Sequence, residues 1–483
     1  MSDIIYRPAI DTAQAIANKE ISAVEVLEAH FARIDAHNPA INAVIWQDRE
    51  SALQEARACD AETARGQSRG PLHGVPVTVK ESFDLTGAPT TWGIPEWADN
   101  IATSDSAAVS RYRAAGAIVF GKTNVPLKLV EWQSFNEIYG TTSNPWDTSR
   151  TPGGSSGGSA AALATGMSAL EVGSDIGSSI RNPAHFCGLF GLKPTWNAMS
   201  MDGHRPNGWH CDTDISVCGP LARSATDLTL AFDILRGPSR LEATAWANAL
   251  LADERTHLRD FRVAVMAGDP TVEVDRDYIA AIEAFADRIE VAGATVIRDR
   301  LPDIDSDAHF TLYLKLLGAA MSGGVSDEEA TATIALFDDQ PEDVKRVFGT
   351  RVSGLALSHR EWLGLDNERR IARLAFDRFF EDVDILLAPV AACAAFPKNE
   401  HGPRYSRRIE VNGKQVLETE QLFWSGYSGV VGLPSAVGPM DQIGGLPVGY
   451  QAIAGHGRDY TALAFARAVE AQFGGFTPPP DLG

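Results

Sequence analysis

Two serine-rich stretches and one lysine carry the residue types from which a nucleophilic site can be built. "TPGGSSGGSAAALATG" (151–166) sets Ser155 and Ser156 between glycine pairs. "GSDIGSSIRNPAHFCGLFGLKP" (173–194) offers Ser174, Ser178 and Ser179, any of which could attack. A serine hydroxyl is a weak nucleophile until a base takes its proton. Histidine is the common base, and His185 follows closely on Ser179. A general base also needs hydrogen-bond reach and an orienting third group, which closeness in sequence does not supply. His185 therefore reads as a satisfied, partly buried residue. The other candidate is Lys80, delivered at the end of the apolar run "VPVTVK" (75–80). Burying an ammonium is costly, and the group escapes by losing its proton. A neutral lysine is a base, and beside serine hydroxyls it can do what histidine does elsewhere. The glycines add a further ingredient: a chain with few side chains can turn several N–H groups into one concavity, where an oxyanion can develop.

Other motifs are weaker. "GAIVFGKT" (116–123) matches the pattern of a nucleotide-phosphate loop letter for letter. Its variable residues, 117–120, read as a strand, whose N–H groups are committed to a sheet, so Lys122 reads as a structural or surface residue. HExxH and CxxC are absent, and no His/Asp/Glu cluster has metal-ligand spacing.

The elements that must position these residues alternate between strand and helix. "ISAVEVLEAHFARIDAHNP" opens with Ser22 three residues before Glu25, a capping box, and continues as an amphipathic helix. "ACDAETARGQSRGPLHG" reads as a polar, mobile connection to the strand ending at Lys80. "SAAVSRYRAAG" is a helix leading into the strand "AIVFG", and "SAAALATGMSALEVG" a small-residue helix leading into the second serine stretch. "FRVAVM", "ATVIRD", "DVDILLAPV" and "GLPVGYQAIAG" read as strands, with amphipathic helices at 276–292 and in "DYTALAFARAVEAQFG". The segment 326–345 is acidic, a lid or a solvated helical excursion. This alternation points to an α/β protein with a covered sheet.

With 483 residues and 44% apolar content, the chain can bury a large core. A net charge of −21 disfavours nucleic acid and anionic membrane as direct partners. Five cysteines in no regular framework fit a reducing compartment, and no signal peptide or 18-residue apolar run is present, so a cytoplasmic location is expected.

Taken together, "HGVPVTVKESFD", "AGAIVFGKTNVP", "YGTTSNPWD", "PGGSSGGSAAALATG" and "SDIGSSIRNPAHFCGLFGLKPT" resemble the amidase signature family of serine amidohydrolases. "PLARSATDL", "DILLAPV", "VGLPSAVGP" and "GGLPVGYQAIAG" extend the resemblance along nearly the whole chain. It implies one amidase domain over 1–483, with a large mixed central β-sheet flanked by helices. It also implies a Ser–cis-Ser–Lys triad, in which Lys80 is the base, Ser155 the serine after a cis peptide bond and Ser179 the nucleophile. Ser155 and Ser179 stand 24 positions apart, as is usual in the family. Ile176, Gly177, Ser178 and Ser179 fall where the oxyanion hole forms. Ser178 replaces the second of two glycines frequent there, and Glu81 an aspartate frequent after the lysine. Asp175, Arg181 and Ser156 are expected to support the loops. Trp132, Phe135, Tyr139 and Trp209 are candidates for an apolar substrate pocket. The expected activity is acyl-enzyme hydrolysis of a small apolar or aryl carboxamide, or an aryl carbamate, by a monomer or homodimer without metal or organic cofactor. The alternative is a glutamine-hydrolysing component of a tRNA-dependent amidotransferase, which needs a partner protein.

Overall fold

In the computed structural model, which describes residues 2–247 and 249–480, helix α1 (Ala23–Ile41) starts where its capping box places it. Ser22 accepts the N–H of Glu25 while the Glu25 carboxylate accepts the N–H of Ser22, so two orphan donors are satisfied at once. The stretch at 58–74 is not simply a mobile connection. Its first residues belong to helix α2 (Arg49–Ala64), which buries Ala52, Ala56, Cys59 and Thr63 on one face, a spacing the polar composition hides.

Three strands lie beside this helical layer: β1 (Val44–Gln47), β2 (Pro76–Lys80) and β3 (Ile118–Thr123). They order as β1-β3-β2, with β2 parallel and β1 antiparallel to β3. The phosphate-loop look-alike is therefore a buried strand, as its apolar residues predict. Lys122 is wholly buried and structural, donating to the Pro89 carbonyl and, at 3.0 Å, to Thr90 Oγ1.

Helix α3 (Gly157–Ala164) is shorter than the composition of 159–173 suggests. Gly166, at φ +73°, turns the chain, and the next residues form strand β4 (Glu171–Asp175). After it come helix α4 (Arg181–Cys187) and the strands β5 (Phe190–Lys193), β6 (Val217–Ala222), β7 (Arg262–Val265) and β8 (Thr295–Ile297). Helix α5 (Ser306–Ala320), β9 (Ile385–Ala388), β10 (Ser435–Ile443), β11 (Leu446–Ile453) and α6 (Asp459–Phe473) complete the frame. The eight-stranded sheet runs β8-β7-β9-β11-β10-β5-β6-β4. Its β8, β7 and β9 are parallel, and the remaining neighbours antiparallel. A mixed sheet covered by helices is the expected α/β architecture.

Strand β4 is an edge of the large sheet, and β2 lies against it: Thr78 N–H donates to Ser168 Oγ at 2.9 Å, and the Thr78 hydroxyl donates to Glu171. That contact brings the end of β2 beside the serine loops. The acidic segment at 326–345 is helical, with Asp327–Ala335 capped by Ser326 and mostly exposed. Among the described residues, no helix is long and apolar enough to cross a membrane.

Candidate active site

Lys80 ends β2 with its side chain fully buried, and its Nζ lies 2.6 Å from Ser155 Oγ and 3.0 Å from Ser174 Oγ. Burial lowers its pKa to about 7, against the opposing pull of Asp175, Glu171 and Glu81. A large fraction of this lysine is thus neutral at ordinary pH. The Ser174 contact was not anticipated from sequence. Ser174 lies on β4, and only the approach of β2 to that edge reveals it.

Ser155 follows a cis peptide bond, Gly154-Ser155. The glycines around it are required by close approach: a Cβ on Gly154 would collide with the Glu131 carbonyl oxygen. Asn182 fastens this loop to the other serine loop. Its Oδ1 accepts Gly154 N–H at 3.0 Å, and its Nδ2 donates to the carbonyls of Gly154 and Ser178 at 2.6 and 2.7 Å. Ser156 N–H adds a bond to the Ser179 carbonyl at 3.2 Å. Ser156 Oγ, expected to hydrogen-bond within the loop, has no partner among the described residues and packs beside Gly173.

Ser179 stands at the mouth of its loop, 5% exposed. The preceding turn is organised by Asp175 at the end of β4. Its Oδ1 accepts Ser178 N–H at 2.9 Å, and its Oδ2 accepts Ile180 N–H at 3.1 Å. Burial opposes this carboxylate's charge, but the Arg181 guanidinium, 2.9 and 3.0 Å away in a two-point pair, holds its pKa below the ordinary value. Arg181 also donates to Ser425 O, Ser428 Oγ and Gln451 Oε1, tying the loop to the C-terminal half. Asp175 and Arg181 thus brace the turn before Ser179 through backbone hydrogen bonds and a buried ion pair.

The oxyanion loop needs one correction. Ser178 adopts φ +72°, a left-handed conformation that costs a non-glycine residue about 1–2 kcal/mol. Its N–H is spent on Asp175, so it has none to offer a substrate. Among the described residues, the N–H groups of Ile176, Gly177 and Ser179 donate to no protein acceptor.

The four aromatic candidates make separate contacts. Trp132 is buried, with Nε1 donating to the Gly177 carbonyl at 2.7 Å. Tyr139 reaches Glu81, whose carboxylate accepts the N–H groups of Thr91 and Trp92. Phe135 lies under the Arg407 guanidinium, and Trp209 is exposed beside Gly323. His185 is fully rather than partly buried, with ring nitrogens bonded to Cys393 O and Gly449 N–H, which removes it as a base for serine. The described residues bring Cys59, Glu62 and His73 within metal-binding distance of one another. Glu62 is ion-paired to Arg69 and both His73 nitrogens are already hydrogen-bonded, so the set carries no functional reading.

Known proteins resemble this chain over most of its length. The family model described as Amidase matches residues 25–463. An indoleacetamide hydrolase of Bradyrhizobium diazoefficiens is 34% identical over 96% of this chain and 86% of its own. The A component of the glutamyl-tRNA(Gln) amidotransferase of Streptomyces coelicolor is 31% identical over 98% of this chain and 97% of its own. Among solved structures, a 6-aminohexanoate cyclic dimer hydrolase complexed with substrate superposes with a TM-score of 0.79 at 26% identity, covering 99% of this chain and 100% of that one.

Proposed function

Because the chain belongs to the amidase family, we propose that it hydrolyses a small apolar or aryl carboxamide through an acyl-enzyme on Ser179. The observation that carries this reading is the 2.6 Å approach of a fully buried Lys80 Nζ to Ser155 Oγ, on a loop stapled to the one bearing Ser179. Neutral Lys80 takes the Ser155 proton, and Ser155 takes that of Ser179, whose oxygen attacks the amide carbonyl. The N–H groups of Ile176, Gly177 and Ser179 receive the oxyanion, an interaction that strengthens as charge develops. The relay then returns a proton to the leaving nitrogen, the C–N bond breaks, and water attacks the ester in the same way to release a carboxylic acid. Every proton is carried by a side chain of this protein, so the scheme calls for no metal or organic cofactor. In this reading one amidase domain spans 1–483.

The aryl preference is supported by the relative named for indoleacetamide hydrolysis. Glutamine remains the second reading, because glutamyl-tRNA(Gln) amidotransferase components match the chain over nearly all its length. A side-by-side kcat/KM comparison of indole-3-acetamide, an acyl anilide, an aliphatic amide, an aryl carbamate and glutamine, without ATP, decides between them. The expected result is that an aryl amide or carbamate exceeds glutamine by at least about tenfold, the discrimination that apolar pocket contacts typically supply. Glutamine as the best substrate, cleaved only when a second protein is added, replaces this reading with the amidotransferase one.

A further inference from the structure

Two aromatic side chains hold the backs of the peptide groups that form the oxyanion loop. Tyr313, wholly buried on α5, donates its hydroxyl to the Ile176 carbonyl at 2.9 Å. Trp132 donates Nε1–H to the next carbonyl, that of Gly177, at 2.7 Å. The only cis peptide bond among the described residues is Gly154-Ser155, so both of these peptides are trans. In a trans peptide the N–H points opposite to the C=O. The Gly177–Ser178 peptide is pinned at both ends, by Trp132 and by Asp175. The Ile176–Gly177 peptide is pinned at its carbonyl by Tyr313, which leaves Gly177 N–H facing away from the tyrosine with no acceptor among the described residues.

We propose that Tyr313 is a positioning residue that aims the Gly177 N–H into the oxyanion hole before substrate arrives, while Trp132, together with Asp175, fixes the adjoining Gly177–Ser178 peptide so that Gly177 keeps that orientation. This rests on the reading that Ser179 is the nucleophile. The tyrosine is itself held rigid. A Cβ on Gly426 would collide with its ring, so the ring packs directly on that backbone, and its oxygen lies 3.2 Å from Ser425 Oγ. Burial pushes the phenol up to about 12, which keeps the hydroxyl protonated as a donor. A donor fixed in advance is worth more in the transition state than one that must reorganise, because the carbonyl oxygen gains charge only as Ser179 attacks. Helix α5 thereby reaches the chemistry without touching the reacting atoms.

Tyr313→Phe keeps the ring and removes only the hydroxyl, and Trp132→Phe removes the indole donor. Each is expected to lower kcat about 10- to 100-fold with KM changed less than about twofold, somewhat less than loss of a direct oxyanion donor. Affinity for an aryl trifluoromethyl ketone, which adds to the serine as a tetrahedral adduct, should fall by the same factor, and the pH dependence should keep its midpoint. A purely structural role would not make analogue affinity track kcat. Unchanged kcat in a folded Tyr313→Phe protein overturns the proposal, as does a rise in KM with analogue affinity intact. If Ser179→Ala retains turnover, the nucleophile assignment fails instead, whatever Tyr313→Phe does.

Discussion

Replacing Ser179 by alanine is expected to leave a folded protein whose kcat on its best amide is at least about 10³-fold lower, the scale of losing a nucleophile. The Ser179 hydroxyl makes no hydrogen bond among the described residues, and its backbone is held by bonds the substitution keeps. Thermal unfolding should therefore shift little while turnover collapses. Parallel assays of turnover and Tm separate the two effects. Normal turnover by Ser179→Ala would remove the acyl-enzyme from the account.

The second large effect concerns Lys80. A base works only when unprotonated, and burial brings this lysine to about 7. Below that value it is an ammonium and the relay is blocked; above it the amine is free. Log kcat/KM should thus rise by about one per pH unit up to about pH 7 and then level off. Lys80→Met removes the base and should cost at least about 10³-fold at every pH. Three carboxylates, Asp175, Glu171 and Glu81, lie close enough to act on the lysine. Glu171 is itself raised to about 8 by burial, so it adds little negative charge near neutrality. Activity that falls as pH rises through 7, or a Lys80→Met protein with parental turnover, would show that a different group takes the proton.

Much of the frame was legible in the sequence because it is local. The Ser22 and Glu25 capping box, the apolar run ending at Lys80 and the strand at 118–123 each follow from neighbours within a few positions. The glycines at 153 and 154 announced a tight loop, and the loop is tight because Glu131 and Asn182 crowd it. Where the reading fell short, distant chain segments decide the outcome. Tyr313 reaches Ile176 from α5, and Arg181 binds groups on residues 425, 428 and 451. Nothing in the periodicity of either segment encodes that contact. Trp132 illustrates the same limit, since composition marks an aromatic but not the direction of its N–H. Ser178 is the converse case: its place beside the nucleophile suggested a donor, but Asp175 three residues earlier had already taken it.

The central claim is that Ser179, and no neighbouring serine, is the attacking atom. Inactivation with an aryl fluorophosphonate followed by peptide mass spectrometry tests it most directly, because the reagent marks the serine that the relay activates. The account expects one adduct per chain, on Ser179, with activity lost in proportion to labelling and labelling abolished in Lys80→Met. Complete inactivation with the adduct on Ser174 or Ser178 would contradict it.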